Sequence, residues 1–173
     1  PLKEAEVADI SGYFEDEKDL SLDDYGQVVM VNCTNMSVSE TEFSSTLILE
    51  HCSDGSVVNN SFIDGTTGIL LRNSQHSDIS ENIFSNKSYG IQLRDAHENV
   101  MTNNRFRTND NSLDLQDSHA NIITFNNFTD TELLIEYSNS NHIYLNSFTD
   151  HVIEPEYSVS LWNTINKVVY EYD

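Results

Sequence analysis

A chain of 173 residues has room for one domain, and its 29 Asp and Glu against 8 Lys and Arg give a formal charge of −21. That balance excludes nucleic acid and an anionic membrane surface as partners, because phosphates and lipid headgroups need a basic footprint. No apolar run approaches the roughly 18 residues of a membrane span, so no membrane insertion is expected. Strong acidity favours solubility and cation-rich surroundings.

Residues 1–24 carry nine acidic residues and two lysines and lie outside the pattern that follows. They read as a capping segment, in which Val7–Ile10 and Tyr13–Phe14 alternate well enough to add a strand or cover an end. The chain opens at Pro1 without a leader pattern, which reads as a mature product or an excised module.

From residue 25 to 148 one frame recurs, ending at Phe43, Phe62, Phe84, Phe106, Phe128 and Phe148. Fifteen residues before each Phe stands Val28, Leu47, Ile69, Ile91, Leu113 or Leu133. Thirteen before stands Met30, Leu49, Leu71, Leu93, Leu115 or Ile135. Ten before is always small: Cys33, Cys52, Ser74, Ala96, Ser118, Ser138. Five before is Val38, Val57, Ile79, Met101, Ile123 or Ile143, and two before is Thr41 and then Asn60, Asn82, Asn104, Asn126 and Asn146. Apolar residues two apart, separated by Asn, Asp, Ser and Gly, are short strands that turn alternate side chains inward. Repeats of this length bury a core only by stacking.

The expected fold is all-β: a single right-handed parallel β-helix, a solenoid of about six to seven coils with about three short strands each. At a stacking distance of ~4.8 Å every inward column becomes a ladder of like side chains. The Phe, aliphatic and Asn columns are the expected core, with the carboxamides bonding to each other and to turn backbone. After Phe148 the frame decays; Val152 keeps the first aliphatic position, and Pro155 suits an edge or a turn. Residues 149–173 form a terminating segment whose end, from Lys167, alternates like one last strand and stops abruptly, as if cut from a longer protein.

The stretches DYGQVVMVNCTNMSVSETEF, GILLRNSQHSDISENIF and GIQLRDAHENVMTNNRF, with the tail SLWNTINKVVYEYD, resemble NosD-type right-handed β-helix repeats over residues 13 to 173. Such repeats are abundant in archaeal surface and secreted proteins, so the resemblance implies an extracellular or cell-surface location. Relatives of this kind include a periplasmic factor of copper-site maturation, carbohydrate-binding or sugar-cleaving proteins and surface-layer components. The repeat brings no active-site motif, so no catalytic residue is carried over.

Cys33 and Cys52 share an inward column on consecutive coils, inside the Cα window of a disulfide. Asp95 with His97, and Asp117 with His119, repeat D-x-H one coil apart, a ligand-type cluster for a divalent cation, although no cofactor is required. A sugar-processing reading would use Asp95, Asp114, Asp117 and Glu136, with Arg94 for a sugar acid. Phe-to-Phe distances of 19, 22, 22, 22 and 20 leave no room for the walls of a cleaving site. Among the N-x-S/T sequons, Asn86 in a turn is the expected acceptor. Val29, Ile48 and Leu70 make an outward apolar stripe that turns polar at Gln92 and Asp114. Either the Tyr13–Phe14 segment or the tail covers it, or it is an interface.

The sequence therefore reads as a non-enzymatic extracellular structural module, a rigid acidic rod of a surface layer, sheath or appendage. Its expected partners are copies of itself or other surface-layer proteins, joined laterally or end to end, and glycans on the flat faces. Carbohydrate binding or processing is the alternative, and periplasmic-type copper or metal handling the third reading.

Overall fold

The computed structural model describes residues 27–149, and the backbone of four further strands, Glu4–Val7, Ile10–Tyr13, Ile153–Glu156 and Val159–Asn163. It is a right-handed parallel β-helix of about six turns with no helix among the described residues. The aliphatic strands stack in register as Val28, Leu47, Ile69, Ile91, Leu113 and Leu133. The Phe strands pair residue for residue from Phe43 to Phe148. A second sheet stacks Val38, Val57, Ile79, Met101, Ile123 and Ile143. On the second and third coils the Phe strand runs unbroken into the next aliphatic strand, giving the two long strands Ser61–Arg72 and Ile83–Arg94.

The inward columns behave as ladders. Successive Phe rings stack with centroids 4.7 to 5.0 Å apart and planes within 11°. Asn82, Asn104 and Asn126 are at most 1 % exposed, yet every carboxamide is satisfied. Each Oδ1 accepts from the backbone N–H and side-chain Nδ2 of the preceding rung at 2.9 to 3.1 Å. Each Nδ2 also reaches a carbonyl one coil back: Val57, Ile79 or Met101. The small column does similar work: Ser74, Ser118 and Ser138 each accept the backbone N–H of the coil before through Oγ. A second amide ladder, Asn99–Asn121–Asn141, begins only at the fourth coil.

Turns are made by left-handed residues, three or four per coil, among them Asn32, His51, Asn73, Asp95 and Asp117 in one column. Asn and Asp tolerate that conformation best among non-glycine residues, which accounts for their abundance here. Gly68 and Gly90 recur for a different reason. A Cβ on either would lie 2.6 Å from the next coil's carbonyl and within 2.9 Å of a Phe ring, so only hydrogen fits.

At the first end, Glu4–Val7 pairs antiparallel with Val28–Val31, and Ile10–Tyr13 pairs antiparallel with Glu4–Val7. At the other end the register differs from the sequence reading. Ile153, not Val152, continues the Leu133 column, and Pro155 continues that of Ile135. Among the described strands Ile153–Glu156 pairs only with Glu132–Glu136, so Pro155 sits on the edge of the described sheet, where a residue without an N–H is tolerated. Trp162 carries the second sheet on beyond Ile143. Phe14 and the tail from Thr164 lie outside the described residues.

Lys87 is a buried cation in this interior. It is 2 % exposed, and its Nζ has no hydrogen-bond partner. Gly65 on the preceding coil leaves the space it fills: a Cβ there would lie 3.7 Å from Nζ. Burial pushes the Lys87 amine below the usual lysine value of 10.5, against the attraction of Asp64. Between the lowered native value and the unfolded one, the unfolded chain holds a proton that the native chain lacks. Stability should therefore rise as pH climbs toward 10.5. Lys87→Met should gain about 1 kcal/mol or more at neutral pH and flatten that rise, measured by urea unfolding across alkaline pH.

Candidate functional site

The D-x-H repeat places Asp95 and Asp117 in exposed left-handed turns, with His97 and His119 half-buried beside them. The two imidazoles do not converge on a common point. They stack face to face, centroids 5.1 Å apart and planes within 6°. Each Nδ1 is already engaged, His97 accepting the backbone N–H of His119 at 3.1 Å and His119 that of Asn139 at 2.9 Å. An accepting Nδ1 puts the ring hydrogen on Nε2, so neither nitrogen offers a lone pair to a metal without breaking a rung. Among the described residues no group of three or more His, Cys, Asp or Glu is placed to hold a metal ion.

Two of the candidate sugar-site residues, Arg94 and Asp114, are engaged with each other. Arg94 forks onto Asp114 through both guanidinium nitrogens, and the Gln92 amide donates to the same carboxylate at 2.9 Å. Gln92 in turn accepts from Thr67 Oγ1 at 3.0 Å. Asp114 stands on the outer face as expected, but it is 3 % exposed rather than open, because Arg94 and Gln92 close over it. Glu136 shares a sheet column with Arg94 and Gln116. Val29, Ile48 and Leu70 stack in adjacent outward positions and are half-buried. Asn86, expected in a turn, is exposed but lies within the long Ile83–Arg94 strand in a left-handed conformation, and its Nδ2 donates to Asp64.

His76 is a surface feature the sequence reading passed over. Its Nε2 lies 2.6 Å from Glu98 and its Nδ1 3.8 Å from Asp54, three residues of one outward column on consecutive coils. Only the register reveals that column, since the three residue types differ.

Cys33 and Cys52 lie buried, side by side on the first two coils, and are thiols rather than a disulfide. Cys52 Sγ donates toward the carbonyls of Met30 and Glu50. A hydrogen bond with the Cys33 thiol, together with burial, pushes the Cys52 thiol well above its ordinary value. Four of the five sulfur-bearing residues of the chain fall between residues 30 and 52, and all four are buried: Met30, Cys33, Met36 and Cys52.

A family model described as the periplasmic copper-binding protein NosD matches residues 11–172. The chain belongs to the NosD family. The match spans the antiparallel Ile10–Tyr13 strand almost entirely, every ladder and the strands after Phe148, so the NosD assignment rests on the solenoid as a whole. No curated protein and no solved structure matches the chain.

Proposed function

We propose that this NosD-family chain is an exported, non-catalytic β-helix that handles copper in its reduced form. The observation that carries the reading is the gathering of buried sulfur in the first two coils, against nitrogen ligands that are already spent. Thioether groups and a pair of thiolates suit Cu(I), whereas Zn²⁺, which also takes thiolates, needs four ligands and Cu(II) favours nitrogen in a tetragonal set. The family description, copper-binding and periplasmic, supports both the metal and the exported location. Non-catalytic character is supported by the engagement of Asp114 with Arg94 and Gln92, which leaves that carboxylate no role as acid or base.

The test is equilibrium dialysis of the whole reduced chain against Cu(I), Cu(II) and Zn²⁺ separately. Retention of about one Cu(I) per chain, with little Cu(II) or Zn²⁺, is expected. No copper retained in either state would end the reading. His97→Ala/His119→Ala should retain as much Cu(I) as the parent while melting lower, because two backbone N–H groups lose their acceptors.

A second reading, the rigid acidic rod of a surface layer, is favoured by the uninterrupted Phe and Asn ladders. They make the described coils one stiff column under a large negative charge. The antiparallel strands laid on Val28–Val31 weigh against stacking of copies at that end, because the sheet edge there is already paired. Copper handling does not exclude such a mechanical role.

A further inference from the structure

We infer that Cys33 and Cys52 together form a two-coordinate Cu(I) site, a single ion bridging two thiolates across adjacent coils. The inference rests on the copper reading above and gives it a place in the fold. The β-helix itself sets the geometry. Residues 31 and 50 pair in register, and the bridge between Thr34 and Ser53 holds the same register past the turn, so the two cysteines are stacked neighbours. Stacking at ~4.8 Å brings two side chains of equal length to about the span that one ion covers with two metal–sulfur bonds of ~2.3 Å.

The two thiols lie in matching surroundings, Cys33 Sγ donating toward the Val31 carbonyl and Cys52 Sγ toward those of Met30 and Glu50. On binding, two S–H protons leave to solvent as two Cu–S bonds form, and no electron is transferred. The bound site carries one net negative charge, and because two protons are released on binding, apparent affinity climbs with pH. Water is excluded, Cys33 and Cys52 being 4 % and 1 % exposed, and exclusion protects Cu(I) from oxidation.

The small column supplies a clean control. Serine is native there at positions 74, 118 and 138, where its Oγ accepts the preceding coil's N–H. Cys33→Ser and Cys52→Ser therefore keep the size and hydrogen-bonding capacity of the rung. They remove only the soft ligand.

The experiment is an anaerobic competition titration of the whole reduced chain with Cu(I) against a chromophoric Cu(I) chelator, for the parent, Cys33→Ser and Cys52→Ser, with melting curves for each. Each serine variant is expected to melt like the parent and to bind Cu(I) more than ~100-fold more weakly, beyond the ~10–100-fold that changes around a ligand cause. Tight binding by the parent with losses below ~10-fold in both variants would overturn the site while leaving the copper reading standing. A parent that cannot compete for Cu(I) at all would overturn both.

Discussion

Asn104→Leu is expected to destabilise the protein by about 3–5 kcal/mol, close to the largest effect a single surface-neutral substitution can have here. Leucine fills the volume of the carboxamide, so the loss is one of hydrogen bonds and not of packing. The backbone N–H of Asn82 loses the Oδ1 that it reaches at 3.0 Å, and the Ile79 carbonyl loses a donor at 2.8 Å. The Asn82 N–H is buried where no water replaces it, and an orphaned group of that kind costs about 1–3 kcal/mol. The lost side-chain bonds to Ile79 and Asn126 add about 0.5–1.5 kcal/mol each. The Asn82 Nδ2 keeps its bond to Val57, which bounds the damage. Thermal unfolding should show a fall in Tm of roughly 10 °C. Asn146 is the control: it ends the described ladder and is half-buried, so the same change there should cost about a third as much.

Phe84→Ala should cost a similar amount through a different term. Its ring is fully buried, with neighbours Phe62 and Phe106 both at 4.9 Å. Truncation removes about 3–5 kcal/mol of burial and leaves a cavity that the stacked coils cannot close, because the ladders above and below fix their spacing. Loss of two stacking partners adds about 0.5–1.5 kcal/mol. Phe148, half-buried where Phe84 is fully buried, should lose less when truncated, because less of its ring is removed from water. Urea unfolding of the two variants beside the parent measures the difference.

These two positions show why the fold was legible in the sequence. An inward column must repeat one kind of side chain, so Phe, aliphatic residues and Asn recur at fixed offsets in the chain itself. The second amide ladder was not legible, because its column reads Met36, Gly55 and Ser77 before Asn99 begins it. Turns were only partly so: Phe125, Tyr137 and Leu145 adopt the left-handed conformation with no local preference for it, held there by the stacked strands on either side. Lys87 reads as a surface residue, and its burial depends on the space left by Gly65 twenty-two positions earlier, which no linear pattern displays.

The candidate site divided along the same line. That Cys33 and Cys52, and His97 and His119, stack on adjacent coils follows from the register. What the ring nitrogens do does not, since their partners are backbone N–H groups of His119 and Asn139. Arg94 and Asp114 stood apart in the sequence reading as candidate ligands for a sugar acid. Their ion pair depends on a guanidinium reaching one coil forward, a side-chain direction that sequence spacing alone leaves open.

Copper K-edge X-ray absorption of the whole reduced chain, loaded anaerobically with one equivalent of Cu(I), tests the central claim most directly. The account predicts an edge of two-coordinate Cu(I) and a first shell of two sulfurs at a single short distance. A first shell of nitrogen or oxygen would contradict it.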